Sequence, residues 1–213
     1  MVSVYFAGEL FSLKHLVGNA ALSAAISSNS GGRFECVLPQ TLEDRMMSAH
    51  EIRDQDMVAL LGCDLAIFNF DGSELDSGTV AEFMLAKFAD IPSLLLRTDF
   101  RRGGDQGEDP WNLMLSFYPR TKTLCLNSLE IYKLAFGRGI SPVDAAENMV
   151  DRVAQTIVKE LEILSQFPPG LTEELGKPVF QWLSRLPGFH SRESSEKVMG
   201  ALTKRIRKPI LPE

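Results

Sequence analysis

Apolar positions along the chain follow two alternating rhythms. Short β-branched and aromatic runs recur at Val2 to Ala7, Phe34 to Leu38, Leu65 to Phe70, Ser93 to Leu96 and Thr123 to Leu126. Each is bounded by glycine, proline or polar residues, so each reads as a strand. Between them the spacing becomes helical. From Leu10 to about Ser27 the apolar face is Leu13, Leu16, Val17, Ala20 and Ala24, and Asn29-Ser30-Gly31-Gly32 stops it. A helix over Thr41 to Leu61 presents Met57, Leu60 and Leu61, with Gly62 closing it. Thr79 to Phe88 is a further helix. Ser141-Pro142-Val143-Asp144 starts another, with the cap at Ser141 and proline at the first position. Met149, Val150, Val153, Ile157, Leu161 and Leu164 form its stripe.

Strands alternating with helices predict an α/β fold, a parallel sheet wound on both faces. Arg101 to Pro110 is polar and glycine-rich and is expected to be a mobile loop. Pro168-Pro169-Gly170 marks a boundary. The expected division is a domain over 1–165 and a helical extension over 166–213. In the extension, Thr172 to Leu186 suggests one or two short helices. The basic end, Lys204 to Lys208, reads as a solvated and disordered terminus.

A chain of 213 residues, 45% hydrophobic, can bury a full core. The net charge of -6 argues against general nucleic-acid binding, which favours basic surfaces. No apolar run is long enough to span a bilayer, and Met1-Val2-Ser3-Val4-Tyr5 reads as a strand, not a signal peptide. Cys36, Cys63 and Cys125 are odd in number and far apart, so reduced core thiols and a cytoplasmic setting are expected. His15, His50 and His190 are scattered, without metal-ligand spacing.

The chemistry gathers after the third strand. Asp71, Glu74 and Asp76 lie in the loop, and Glu82 falls in the first turn of the following helix. Open α/β sheets bind ligands where a strand end meets a helix N-terminus. A carboxylate there is held ionised by the helix dipole, which suits a nucleophile. The same residues can instead be read as caps, with Thr79-x-x-Glu82 as a capping box. Asp54 and Asp56 fit a solvated helix face, and Tyr5 fits core packing.

Taken together, Val4-Tyr5-Phe6-Ala7-Gly8-Glu9-Leu10-Phe11, Ile52-Arg53-Asp54-Gln55-Asp56, Asn69-Phe70-Asp71-Gly72, Asp76-Ser77-Gly78-Thr79-x-x-Glu82 and Pro110-Trp111-Asn112-Leu113-Met114 resemble the nucleoside 2-deoxyribosyltransferases. Each motif is weak alone, but they fall in family order. The resemblance implies a flavodoxin-like five-stranded sheet. It implies transfer of 2-deoxyribose between nucleobases through a covalent deoxyribosyl-enzyme, with no metal or cofactor. Glu82 falls on the nucleophile, Tyr5 on the tyrosine that holds it, and Asp56 and Asp76 on the aspartates that bind and protonate the base. Gly8, Asp71 and Gly78 fall on substrate-lining segments. Asn112 matches an asparagine lent to a neighbouring subunit, and Met114 the packing residue beside it, which implies a homodimer or larger homo-oligomer. The partners implied are deoxynucleosides and free nucleobases.

Two departures stand out. Met84 occupies a position where family members usually carry glycine, and the tail after about Gln166 lies beyond the short members. The tail is expected to pack on the domain or the oligomer. Two other functions compete. One is a hydrolase of deoxynucleoside 5′-monophosphates, in which water takes the sugar. It would want a phosphate site at Ser77-Gly78-Thr79 and basic residues after the first strand, where this chain has Glu9. The other is a nucleotide sensor, which would not need a nucleophile.

Overall fold

The computed structural model describes residues 1–42, 46–99, 112–136, 139–186, 189 and 191–207, without the side chains of 202, 204, 206 and 207. Five strands form one all-parallel sheet: β1 (Val2–Ala7), β2 (Phe34–Val37), β3 (Leu65–Asn69), β4 (Ser93–Arg97) and β5 (Thr121–Cys125), in the order β2-β1-β3-β4-β5. Tyr5 pairs with Val37 on one side and Ala66 on the other, so β1 is an interior strand. This is the flavodoxin-like order, and its switch point lies between β1 and β3. The predicted fold class is therefore observed. The loop expected at Arg101 to Pro110 lies outside the described residues.

Strand alternation sorts the core into two layers. Val4, Phe6, Leu65, Ile67, Leu94 and Leu96 point to one face, under α1 (Leu13–Asn29) and α6 (Pro142–Ser165). Tyr5, Ala7, Ala66, Phe68 and Leu95 point to the other. That face is covered by α3 (Ala49–Gly62), α4 (Ser77–Phe88), α7 (Glu173–Leu183) and α8 (Arg192–Arg207). The short α2 (Pro39–Leu42) leads toward α3, and α5 (Ser128–Ala135) packs on α6. The helix start expected at Ser141 is present, and Ser141 accepts from the Asp144 backbone N–H.

Some elements differ from the expectation. The stripe that marked α1 in the sequence faces outward: Leu13, Leu16 and Val17 are exposed, while Leu22 and Ile26 are buried. Helical spacing alone cannot choose between two faces that both carry apolar residues. The helix expected from Thr41 to Leu61 is two helices, because Ser48 and Glu51 form a capping box that starts α3 afresh. α5 was not expected, and α8 lies in the extension expected to be helical, past the short helices placed at Thr172 to Leu186. The basic terminus is helical to Arg207, and Arg205 is buried. Of the cysteines, Cys63 is buried, but Cys36 is half-buried and Cys125 exposed, so they are not all core thiols. Among the described residues no helix is long and apolar enough to cross a membrane, and no cluster of His, Cys, Asp or Glu could hold a metal ion.

Candidate active site

Tyr5 reaches the site because β1 turns its side chain toward the α3/α4 face. Its ring is fully buried, and its hydroxyl donates a 2.6 Å hydrogen bond to Glu82 Oε1. The core reading of Tyr5 thus covers its ring, while the phenol tip serves the carboxylate. Phe83, next to Glu82, packs edge-on against Phe68 of β3 and so fixes the turn of α4 that presents Glu82.

The cap of α4 is Asp76. Its Oδ2 accepts from Thr79 N at 2.7 Å and Thr79 Oγ1 at 2.8 Å. A Cβ at Gly78 would lie 3.1 Å from that oxygen, so Gly78 gives the capping carboxylate room. The helix therefore begins at Ser77, and Glu82 lies in its second turn. This overturns both the capping box at Thr79-x-x-Glu82 and the placement of Glu82 in the first turn.

The charge state of Glu82 follows from its surroundings, not from the helix dipole, which fades within a turn. Burial pushes its carboxyl up from 4.5 to about 7, against the pull of the Tyr5 hydrogen bond, and the charges of Asp56 and Asp76 add to the rise. Tyr5 is raised above its ordinary range by burial, then by Glu82 and Asp56. Asp56 and Asp76 thus both act on Glu82. Asp54, two residues before Asp56 and so on the other side of α3, pairs instead with Arg53 at the surface, as a solvated face would.

The β3–α4 loop that carries Asp76 is tied to the end of β4. Buried Arg97 donates to Phe70 O at 2.9 Å and Gly72 O at 3.2 Å. Asp71 accepts from the backbone N–H and hydroxyl of Thr98 and from Asp99 N. Asp71 lines a cleft of about 190 Å³ on the α1 side of the sheet, together with Glu9, His15 and Asn19. Gly8 follows β1 where a Cβ would come within 3.2 Å of the Asn69 Cβ, so the two strand ends approach closely. Arg97 was not singled out in the sequence. An arginine ending the otherwise apolar run Ser93-Leu94-Leu95-Leu96 was the available signal.

Asn112 and Met114 stand on a turn. Asn112 Oδ1 accepts from Met114 N at 2.9 Å, and the Met114 side chain is exposed. Met84, on α4 itself, is partly buried and packs against the core that lies under α3 and α4.

A doubly wound parallel sheet with a tyrosine-bound glutamate on the helix after β3 is the class of protein in view. The chain belongs to the nucleoside 2-deoxyribosyltransferase family, whose sequence model matches residues 4–114, more than half its length. The match begins within β1, contains Tyr5, Asp56, Asp76 and Glu82, and ends at Met114. The family includes related hydrolases. No curated protein matches the chain. A solved structure of a conserved protein from Enterococcus faecalis V583 is 20% identical, covering 76% of this chain and 98% of that one, with a TM-score of 0.48. That likeness is too distant to bear on fold or function.

Proposed function

We propose that this protein is a nucleoside 2-deoxyribosyltransferase with Glu82 as nucleophile. The observation that carries the reading is the Tyr5–Glu82 hydrogen bond of 2.6 Å beside two further carboxylates. A purely structural glutamate gains nothing from a buried site next to Asp56 and Asp76, because like charges and desolvation both oppose its ionisation.

In the proposed reaction Glu82 Oε2 attacks C1′ of a 2-deoxynucleoside. The C1′–N bond breaks, and its electron pair leaves with the base. Asp56 or Asp76 in its acid form protonates that base. The product is a deoxyribosyl ester of Glu82. A second base then attacks C1′ from the opposite face, gives its proton to the aspartate and frees Glu82. Two inversions give retention. Tyr5 supports the ionised Glu82 before attack and as it is released.

The segment after β1 favours nucleosides over nucleotides. Glu9 pairs with His15 at 3.0 Å, and a Cβ at Gly72 would lie 3.5 Å from Glu9 Oε1. A carboxylate there repels a 5′-phosphate. The proposal extends to a homo-oligomer in which the Asn112 turn reaches a neighbour's site. The exposed Leu13, Leu16 and Val17 on α1 support association, since adjacent apolar positions on one helix face gain by being covered.

Incubation with deoxyinosine plus free adenine or cytosine, followed by chromatography, tests the reaction. Deoxyadenosine or deoxycytidine is expected. Hypoxanthine and free deoxyribose without exchange would replace the transferase by a hydrolase, and turnover of monophosphates alone would refute the role given to Glu9.

A further inference from the structure

The helices after Ser165 are fastened to the domain at two places. At the first, Asp90 Oδ2 accepts from Gly170 N at 2.8 Å, Leu171 N at 3.1 Å and Arg120 Nη1 at 2.7 Å. At the second, Arg205 of α8 donates from Nη2 to Cys63 O at 2.6 Å and to Leu61 O. Those are carbonyls at the C-terminal end of α3, where helix carbonyls lack partners of their own. A cation there also complements the helix dipole.

Arg205 is buried, with 7% of its surface exposed; burial pushes its guanidinium down to about 10, and the charge of Asp64 offsets part of that. Asp64 in turn accepts from Ser3 N at 2.9 Å and Ser3 Oγ at 2.8 Å. One buried charged group thus joins α8 to the end of α3 and, through Asp64, to β1, the strand of Tyr5. Among the helix neighbours of α3, α8 makes the broadest contact, broader than α2 or α4. Phe180, Leu183, Phe189 and Val198 share one core with Tyr5, Leu60, Leu61 and Phe83. The family match stops at residue 114, so α7, α8 and Arg205 all lie beyond the matched segment.

α3 is the helix that carries Asp56. We propose that Arg205 is a positioning residue, and that α7 and α8 form the backing that holds α3 so that Asp56 stays beside Tyr5 and Glu82. The inference rests on the reading of Asp56 as part of the site. The groups facing Glu82 are Tyr5 from β1, Asp56 from α3 and Asp76 at the head of α4. Of the three, only Asp56 stands on the helix that Arg205 holds. A loosened α3 therefore withdraws Asp56 and leaves the Tyr5–Glu82 bond in place.

The test uses the full chain with Arg205→Met and Arg205→Lys, each alone and combined with Asp56→Asn. The lysine retains the charge on a shorter side chain that does not carry a donor to where Nη2 meets the two carbonyls, so it carries the comparison if the methionine variant does not fold. Each Arg205 variant is expected to lower kcat for base exchange about 10-fold with KM within about 2-fold, and to cost less than about 2-fold in the Asp56→Asn background. Backbone amides of α3 are expected to exchange about 10-fold faster, with β1 and α1 unchanged. Equal losses in both backgrounds, full activity in the Arg205 variants, or unchanged exchange in α3 would overturn the proposal. An Asp56→Asn variant that transfers normally would instead remove Asp56 from the site, and the exchange of α3 would still decide what Arg205 holds.

Discussion

Glu82 carries a proton equilibrium that can be followed without any substrate. Its carboxyl titrates near 4.5 in the unfolded chain and at about 7 in the folded one. The folded state therefore binds the proton more tightly. The stabilisation from the protonated form is fully present below about pH 4.5 and is lost as pH rises through about 7. Relative to Glu82→Gln, which cannot ionise, the native protein is expected to lose on the order of 3 kcal/mol across that window. Denaturant melts of the two proteins at pH 4.5 and pH 8 would show it, and parallel stabilities at both pH values would place Glu82 in water. Sequence made Glu82 conspicuous through its spacing from Asp76-Ser77-Gly78-Thr79. It could not give the charge state, which depends on Tyr5 and Asp56, far away in the chain and brought in by β1 and α3.

Among the elements, α4 does two things at its head. Asp76 caps the helix through Thr79 and also lends its charge to the pocket. Substitution can separate the roles, because asparagine caps about as well as aspartate whereas alanine does not. Asp76→Asn is expected to keep its melting point and lose at least about 10-fold in kcat if the residue handles the proton of the base. Asp76→Ala is expected to lose about 1 kcal/mol of stability as well. Full turnover in Asp76→Asn would reduce the residue to a cap. The strands were legible because a buried parallel sheet demands near-continuous apolar runs, as in Leu65–Asn69 and Ser93–Arg97. The face of α1 was not, since its outward residues are as apolar as its inward ones. α8 was hidden by its composition: its segment is mostly charged and polar, and its docking relies on Val198 and one buried arginine.

At the scale of the whole molecule, the switch point between β1 and β3 explains why residues from three separate segments, β1, α3 and the head of α4, meet. Both strand ends approach closely at Gly8 and Asn69, and the loops leaving them diverge to opposite faces. Family order of motifs made this arrangement readable from the chain. The backing by α7 and α8 was not readable, because no local pattern links Arg205 to carbonyls at Leu61 and Cys63. The proposed sharing of Asn112 between subunits is a further property at this scale. Glu82→Ala and Asn112→Ala are each expected to be nearly inactive alone. Mixed and allowed to exchange subunits, they should regain up to about a quarter of native activity, because some sites then combine an intact Glu82 with a neighbour's intact Asn112. Activity that stays at the sum of the two variants would confine each site to one subunit.

The covalent ester is the centre of the account, and mass spectrometry reaches it most directly. The protein is mixed with a 2-deoxynucleoside without acceptor base, quenched in acid, digested and mapped. A deoxyribosyl adduct is expected on the peptide containing Glu82, discharged by added nucleobase and absent from a folded Glu82→Ala variant. Base exchange that continues in Glu82→Ala, or an adduct on another residue, would contradict the assignment of Glu82 as the nucleophile.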